Sequence, residues 1–360
     1  MKKILILYAT YGSGHQAVSN YIKDYITNKS SDFEVLTLDI LKYAKPIVGP
    51  LSKSMGEALV LKTPLLWDII FKVANHKVIS EVSLDTTVKM FETKCLKKMI
   101  IDFKPDLIIC THYYASTLIG NMKMNKEIYT KMVSIQTDFA AHEWFLRNYK
   151  YEDAIIVPCK EAKKALLEKR PDIKKNKIKN FGIPIYNRFN DEIDNTKLFK
   201  KFNVNETKII ATFFGGGIYK TSTVYPYFKR LVKEGFNGTL YFITGNAKDL
   251  RVKAQKLVKK YHADNIKVLG YVNNVPEYLM ISDYIISKPG GSIINECLYF
   301  GRPMVLITKN GGQEKENYKY LVRKRFAVKI NNPYLFARYL KNLNSSDIVL
   351  NKMKNNVQSY

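Results

Sequence analysis

Acidic residues are scarce in this sequence, which contains 32 Asp and Glu residues against 58 Lys and Arg residues. The resulting formal net charge of +26 predicts attraction to polyanions, either nucleic acids or the anionic head groups of a membrane. Zinc-finger spacing, an aromatic RNP-type strand and a long basic arm are all missing, so we expect no nucleic-acid partner. A solvated Lys-rich surface without a partner is the alternative interpretation.

Paired cysteines and long apolar runs are also absent. The four cysteines are widely spaced without a CxxC motif, which excludes the usual zinc-site spacing and a disulfide framework and is typical of a reducing compartment. No apolar run approaches the roughly 18 residues of a membrane-spanning helix, and the N-terminus lacks the apolar core of a signal peptide. We therefore expect a cytoplasmic protein that is soluble or peripherally bound to a membrane.

Strand-like and helix-like segments alternate along the 360 residues, which predicts an α/β fold with parallel sheets. The alternation restarts after a Gly-Ile-Pro segment, and two such halves indicate two Rossmann-like domains that face a cleft. We predict an N-terminal domain over residues 1–180, a C-terminal domain over 181–331 and a helical segment over 332–360. Ligands of open α/β sheets bind beyond the carboxyl ends of the strands, where the Gly-rich turns of this chain lie.

Residues 285–317, IISKPGGSIINECLYFGRPMVLITKNGGQEKEN, predict a nucleotide-sugar pocket. A strand ends at Lys288–Gly291 and a helix begins at Ser292, so backbone amides and the positive helix end can bind a diphosphate. Glu296 is acidic and suits the vicinal hydroxyls of a ribose. A Gly-rich loop then carries three further polar candidates, Gln313, Glu314 and Asn317. An ordinary strand-to-helix turn is the alternative for the Gly-Gly pair alone.

Two clusters in the first half follow predicted strands. Gly12-Ser13-Gly14-His15 opens a helix, and a histidine near a helix N-terminus stays neutral and able to accept a proton. Thr137-Asp138-Phe139-Ala140-Ala141-His142-Glu143-Trp144 follows the strand over residues 131–135. Asp138 either orients His15 or is itself the base that deprotonates an acceptor hydroxyl. A solvated His15, a turn-capping Asp138 and a His142 without a catalytic part are the alternatives.

Residues 45–77 interleave aliphatic side chains and a tryptophan with lysines. Such a segment suits a membrane interface, where apolar burial and attraction to anionic lipid add. The side chains expected to meet the acceptor or the membrane there are Leu65, Leu66, Trp67 and Phe71. A core-facing amphipathic helix is the alternative.

These motifs resemble glycosyltransferase family 28, and within it the diacylglycerol glucosyltransferases and monogalactosyldiacylglycerol synthases. The resemblance extends from the Gly-Ser-Gly-His turn to the Gln-Glu loop. It implies the GT-B fold, whose last helical segment crosses back to the first domain. It also implies a UDP-hexose donor, a diacylglycerol acceptor and anionic lipids as partners, on the inner face of the cell membrane. The transfer would be inverting and independent of metal, so we expect no cofactor.

The resemblance also implies roles for individual residues. His15, aided by Asp138, would take the proton from the acceptor hydroxyl, while Lys288 would stabilise the leaving UDP. The donor-binding candidates are Gly217, Gly245, Asn246, Tyr271, Val272, Lys288, Gly290, Gly291, Ser292, Glu296, Gln313, Glu314 and Asn317. The acceptor and membrane candidates are Gly14, Leu65, Leu66, Trp67, Phe71, His142 and Trp144. Two details depart from the family pattern: Trp144 comes one residue early, and bulky Ile218 and Tyr219 follow Gly217.

The predicted activity is transfer of a hexose to the hydroxyl of 1,2-diacylglycerol, making a membrane glycolipid. We expect glucose, because the Gly-Gln-Glu-Lys-Glu-Asn loop looks most like that of bacterial glucosyltransferases. One alternative is a UDP-N-acetylglucosamine transferase that acts on a polyprenyl-linked peptidoglycan precursor. The other is a non-catalytic basic protein that binds lipid. The number of sugars added, the oligomeric state and the choice between His15 and Asp138 as base stay open.

Overall fold

The computed structural model describes residues 1–10, 14–43, 94–139, 143–186, 195–205, 207–216, 221–307 and 312–360. The chain divides into two compact units, Met1–Arg188 with Gly311–Glu316 and Phe189–Asn310 with Asn317–Tyr360. Each unit contains one six-stranded sheet, and every described strand pair is parallel. The predicted parallel α/β architecture is therefore confirmed. Element labels below count described elements in chain order.

The sheet of the first unit has the order β2-β1-β3-β4-β5-β6. Its strands are β1 (Lys2–Tyr8), β2 (Phe33–Asp39), β3 (Leu107–Cys110), β4 (Lys131–Ile135), β5 (Ala154–Val157) and β6 (Ile178–Asn180). Its helices are α1 (Gly14–Lys29), α2 (Lys94–Phe103), α3 (Tyr113–Met124) and α4 (Lys160–Lys169). Among the residues that the structure describes, short 3-10 helices accompany them at Ile40–Tyr43, Glu143–Leu146, Tyr149–Tyr151 and Lys175–Lys177.

The core of the first unit forms on both faces of β1. Leu5 and Leu7 pack with Leu118 of α3 in one buried cluster. Ile4 and Ile6 belong to a second cluster, against which partly buried aliphatic side chains of α1 pack. A continuous aliphatic run is what a parallel strand covered on both faces requires. Burying each of these side chains contributes about 1.5–3 kcal/mol relative to leaving it in water.

The sheet of the second unit has the order β12-β11-β10-β7-β8-β9. Its strands are β7 (Ile210–Phe214), β8 (Thr239–Ile243), β9 (Ile266–Leu269), β10 (Tyr284–Ser287), β11 (Met304–Leu306) and β12 (Ala327–Lys329). Its helices begin with α5 (Asn195–Phe202), α6 (Thr221–Glu234), α7 (Lys248–Lys260) and α8 (Val275–Ile281). They continue with α9 (Gly291–Tyr299), α11 (Pro333–Leu343) and α12 (Asp347–Gln358). The helix α10 (Gln313–Arg323) belongs to the second unit from Asn317 onwards.

Aromatic side chains dominate the core of the second unit. The rings of Phe228 and Phe242 stack with their centroids 4.0 Å apart, and Phe213 meets Phe242 edge-on at 4.9 Å. Phe336 brings α11 onto the same cluster, since its ring lies 6.0 Å from that of Phe213. These four side chains are completely buried, so α6 and α11 are anchored on one face of the sheet.

The strand order of each sheet reverses at one point. In the first unit the reversal lies between β1 and β3, and in the second it lies between β7 and β10. The loops on the two sides of such a point diverge at the carboxyl edge and leave a crevice in which ligands of open α/β sheets bind. The residues after β1, β3, β7 and β10 are therefore the first candidates for a ligand site.

Several elements differ from the sequence prediction. The helix α3 was not predicted, because a helix buried on nearly all sides lacks the alternation of polar and apolar residues that identifies one. Gln313 begins α10, where a loop was predicted. The helix α2 is described from Lys94 onwards. No described helix combines the length and apolar character needed to cross a bilayer.

Residues 332–360 form the two last helices, as the predicted helical segment requires. The contacts described for α12 lie within the second unit, where the Lys354 ammonium is 2.6 Å from the Asp283 carboxylate. The return of this segment to the first domain stays a prediction. The same is true of the domain boundaries at residues 180 and 331.

Candidate active site

His15 is the second residue of α1 and lies beside the reversal point of the first sheet. Its Nδ1 atom is 2.7 Å from the carbonyl oxygen of Thr111 and 3.2 Å from the hydroxyl oxygen of Thr137. A carbonyl oxygen can only accept a hydrogen bond, so the proton of the neutral imidazole is assigned to Nδ1. The Nε2 atom then carries the lone pair and is able to accept a proton.

Thr111, the first residue after β3, also fixes the start of α1. Its hydroxyl donates to the carbonyl oxygen of His15 over 3.3 Å and is 3.0 Å from the hydroxyl of Ser19. Its amide donates to the carbonyl oxygen of Leu7 on β1. Both Thr111 and Ser19 are completely buried, so a buried hydrogen-bond network holds the His15 backbone.

The electrostatic environment of His15 suits a general base. Burial lowers the pKa of His15, while the Asp138 carboxylate and the bond to the Thr111 carbonyl oxygen act in the opposite direction. The imidazole is therefore neutral at rest, and a carboxylate is at hand to stabilise the imidazolium that proton uptake creates. The structure thus brings His15 and Asp138 into electrostatic interaction. Which of the two is the base stays a prediction.

His112 also belongs to this cluster, although the sequence analysis did not identify it. Its ring centroid is 4.5 Å from that of His15, at an interplanar angle of 69°. Its Nδ1 atom accepts a hydrogen bond of 3.1 Å from the Tyr114 amide and so caps α3. The available signal was its place in the chain, since Thr111 and His112 directly follow β3 at the carboxyl edge.

A cluster of aromatic side chains packs against the ring of His112. The Tyr113 ring lies 4.1 Å from His112, 4.8 Å from Trp144 and 5.7 Å from Phe145. Trp144 is only 8% exposed, so its indole packs within the unit, and its contact with an acceptor stays a prediction. Gly14 is the first residue of α1. The remaining acceptor and membrane candidates, Leu65, Leu66, Trp67, Phe71 and His142, lie outside the described residues.

In the second unit, the turn after β10 leads into α9. The Gly290 amide donates to the Lys288 carbonyl oxygen over 2.9 Å, and the Gly290 carbonyl oxygen accepts the first helical bond, from the Ile294 amide. The first amides of any α-helix have no partner inside the helix, and those of Gly291 and Ser292 are among them. The Lys288 ammonium lies 3.4 Å from where a Cβ atom on Gly290 would be. Amides and a cation thus meet at one turn, as anion binding requires.

Asn317, on α10, supports this turn. Its side-chain amide donates to the carbonyl oxygen of Pro289 over 3.0 Å, and the residue is completely buried. This position makes Asn317 a support for the turn, and a direct contact with the donor stays a prediction. Gln313 and Glu314 lie in the first turn of α10 and are half-buried.

Glu296 lies in the second turn of α9 and is 6% exposed. Burial, together with the Glu296 carboxylate, raises the pKa of the neighbouring Cys297 thiol well above its ordinary value. A buried acidic group on the helix that follows a turn suited to a diphosphate fits the predicted ribose contact. That contact stays a prediction.

Further turns meet at the carboxyl edge of β7, β8 and β9. A Cβ atom on Gly216 would be 2.6 Å from the Thr244 carbonyl oxygen, so only glycine fits this close approach of two backbones. Gly245 has a φ of +55° and donates from its amide to the Gly270 carbonyl oxygen over 3.2 Å. Asn246 and Tyr271 are exposed, Val272 is half-buried, and Gly217 lies outside the described residues.

Metal-ligating residues do not cluster in the part of the chain that the structure describes. No three His, Cys, Asp or Glu side chains there lie close enough together to hold a metal ion. The predicted independence from metal is a separate matter that an activity measurement must decide.

Known protein families match the two halves of the chain separately. Residues 15–185 match the family described as monogalactosyldiacylglycerol (MGDG) synthase, and residues 222–359 match the glycosyltransferase family 28 C-terminal domain. A processive diacylglycerol beta-glucosyltransferase from Bacillus pumilus is 28% identical, over 99% of this chain and 91% of the relative.

Solved structures of similar fold cover the whole of this chain. MurG of Acinetobacter baumannii superimposes with a TM-score of 0.62 at 11% identity, with 94% of its own chain covered. UGT2 of Phytolacca americana, complexed with UDP-2fluoro-glucose and pterostilbene, gives a TM-score of 0.65 at 11% identity, also with 94% covered. At these identities the likeness concerns the fold alone. Together with the two parallel sheets, it confirms the predicted GT-B fold.

Proposed function

Because the chain belongs to the diacylglycerol glycosyltransferase and MGDG synthase branch of glycosyltransferase family 28, we propose that it transfers glucose from UDP-glucose to 1,2-diacylglycerol. The observation that carries the chemistry is the geometry of His15. With Nδ1 bound to the Thr111 carbonyl oxygen, Nε2 is the atom that takes the proton of the acceptor hydroxyl.

The second unit supplies the binding chemistry for a nucleoside diphosphate. The amides that open α9 and the Lys288 ammonium offer hydrogen bonds and positive charge to the two phosphates. Glu296 accepts hydrogen bonds from ribose hydroxyls, and Asn317 keeps the turn in shape through Pro289. Gln313 and Glu314, in the first turn of α10, are our candidates for contacts with the hexose.

The proposed reaction is a single displacement that inverts the anomeric carbon. The acceptor oxygen attacks C1 of the sugar while its proton moves to Nε2 of His15, and the bond from C1 to the diphosphate oxygen breaks. UDP leaves with that electron pair. The Asp138 carboxylate stabilises the new imidazolium, and the α9 amides and Lys288 stabilise the charge on the diphosphate. These fixed dipoles and charges do the work that a divalent cation does in other transferases.

Two features support glucose and a membrane-bound acceptor. The curated relative quoted above is a beta-glucosyltransferase that acts on diacylglycerol and is processive, so we propose glucose and leave open the addition of further sugars. The net charge of +26 favours adsorption to anionic lipid, worth about 1 kcal/mol for each basic residue near the surface. We propose that the protein acts at the cytoplasmic face of the membrane, with residues 45–77 as the interface.

A donor-release assay tests the proposal. Purified protein and diacylglycerol in anionic mixed micelles are offered UDP-glucose, UDP-galactose or UDP-N-acetylglucosamine, each with a chelator, and both UDP and glycolipid are measured. We expect turnover with UDP-glucose in the presence of the chelator. Turnover with UDP-galactose alone would correct the sugar. Turnover with only the N-acetylated donor and a polyprenyl acceptor would overturn the assignment, as would no turnover with any donor.

A substitution of His15 tests its role as the base, and the same substitution of His262 is the matched control. His15→Asn should lower kcat by about 10²–10⁴-fold, the usual contribution of a positioned general base. His262→Asn removes an exposed histidine just beyond the end of α7 and should leave kcat unchanged. Equal kcat values for the two variants would remove His15 from the mechanism.

A further inference from the structure

We propose that His112 is a positioning residue for the reaction, a neutral imidazole that holds the ring of His15 so that Nε2 stays directed at the acceptor hydroxyl. The inference rests on the proposed function of His15. It starts from the contact between the two rings, whose centroids are 4.5 Å apart at an angle of 69°. An edge-to-face contact at this distance limits the rotation of both rings.

The chain fixes the tautomer of His112. Its Nδ1 atom accepts the hydrogen bond from the Tyr114 amide, so the proton of the neutral ring must sit on Nε2. A second proton on Nδ1 would break this cap and would place a positive charge at the N-terminus of α3, where the helix dipole opposes it. His112 is also only 1% exposed, and burial disfavours its charged form. It therefore stays neutral while His15 gains and loses a proton.

The packing behind His112 fixes its plane. The Tyr113 ring is 4.1 Å away and the Tyr114 ring is 5.0 Å away, and Tyr113 in turn packs on Trp144. Tyr113 and Tyr114 begin α3, and Trp144 lies in the 3-10 helix after β4. These two helices therefore hold the rings that pack against His112. The contact with His15 is thus one end of a chain of packed rings.

His15 is then held at two points. The Thr111 carbonyl oxygen and the Thr137 hydroxyl hold the Nδ1 edge, and the His112 ring limits rotation about that edge. Among the described residues, the titratable groups facing His15 are Asp138, from the loop after β4, and His112, from the loop after β3. With His112 neutral, Asp138 supplies the charge that acts on the imidazolium.

Two variants separate the ring of His112 from its capping bond. His112→Asn keeps a side-chain acceptor for the α3 amides, since Asn is among the best capping residues, but it removes the ring. We expect a melting temperature close to that of the wild type and a kcat lower by about tenfold to a hundredfold, the loss that a small misplacement of a reacting group causes. The KM for UDP-glucose should not change.

His112→Phe makes the opposite change, because it keeps an aromatic ring and loses the cap. We expect a lower melting temperature and recovery of most of the kcat that His112→Asn loses. Asn332→Ala, which removes the cap of α11, controls for cap loss and should leave kcat unchanged. A His112→Asn variant with wild-type kcat, or a His112→Phe variant as impaired as His112→Asn, would overturn the proposal.

A spectroscopic measurement tests the same point without any turnover. Ring ¹⁵N spectra of histidine-labelled protein report the tautomer of each of the five histidines, and His15→Asn assigns the His15 signal. We expect the Nδ1–H tautomer for His15 in the wild type and in His112→Phe, and a mixture of tautomers in His112→Asn. Unchanged His15 signals in His112→Asn would contradict the inference. If no donor is turned over but the tautomers change as expected, the proposed function fails and the positioning contact stands.

Discussion

The side-chain amide of Asn317 donates a hydrogen bond to the carbonyl oxygen of Pro289 and so ties the start of α10 to the turn before α9. Asn317→Ala leaves a buried carbonyl oxygen without this donor, which costs about 1–3 kcal/mol of stability. Because the freed turn carries Lys288 and Gly290, we expect weaker UDP binding, with the Kd raised about tenfold for each 1.4 kcal/mol of lost turn order. Isothermal titration with UDP measures it.

Asn265 offers a matched control for this variant. Its side-chain amide donates to the carbonyl oxygens of Phe236 and Gly238, away from the turn. Asn265→Ala should also lower stability, by less because Asn265 is exposed, and leave the Kd for UDP unchanged. If Asn317→Ala binds UDP as tightly as Asn265→Ala does, the turn does not depend on Asn317.

Gly216→Ala should damage donor binding through the backbone. The added Cβ atom would be 2.6 Å from the Thr244 carbonyl oxygen, so one of the two loops must move, at a cost of about 1–3 kcal/mol. Gly235→Ala is the control, because Gly235 has a φ of +77° with nothing within 4 Å of the added Cβ atom. Both variants should unfold at lower temperature, and only Gly216→Ala should bind UDP more weakly. Unchanged UDP affinity in Gly216→Ala would show that this loop is not part of the donor site.

Asp138→Asn should alter the pH dependence of kcat/KM. His15 acts when unprotonated, so kcat/KM rises with pH through the pKa of His15, which burial places below its ordinary value. The Asp138 carboxylate raises that pKa, so its neutralisation moves the rise in kcat/KM to lower pH. It also lowers kcat, since the imidazolium loses its partner. If Asp138 is the base instead, Asp138→Asn abolishes activity while His15→Asn keeps a measurable rate.

Glu152 should make the stability of the first unit fall as pH rises. The residue is 1% exposed and accepts a 2.5 Å hydrogen bond from Ser134, and burial raises its pKa from 4.5 to about 8. Between these values the folded protein holds a proton that the unfolded chain has released, so stability falls by up to about 1.4 kcal/mol per pH unit. Glu152→Gln removes this dependence, and unfolding in urea at pH 5 and pH 8 measures it.

Asp153 provides a control of opposite sign. Its carboxylate accepts from the Met132 amide and the Lys123 ammonium, and these bonds outweigh burial and lower its pKa. Its contribution to stability is present at neutral pH and is lost as pH falls through the lowered pKa. Asp153→Asn should therefore destabilise the protein at pH 8 more than at low pH. A Glu152→Gln protein that keeps the wild-type dependence between pH 5 and pH 8 would contradict a protonated Glu152.

Much of the fold could be predicted because it depends on local patterns. The strand over residues 131–135 and the turn from Lys288 to Gly290 lie where the sequence predicted them. The helix α3 escaped prediction because it is buried on almost every side. Without α3, the sequence showed only that His112 follows a strand end, and it gave no capping role for this side chain.

The sequence by itself determined the alternation of strands and helices, the two halves of the chain and the residue types at each strand end. Only the tertiary structure decided which of those ends meet. His15 and Thr111 are 96 residues apart in sequence, and they touch because β1 lies next to β3. Strand order is a long-range property that depends on how the helices cover the two faces of the sheet. For the same reason, the Asn317 amide meets the Pro289 carbonyl oxygen only once β10, α9 and α10 have packed together.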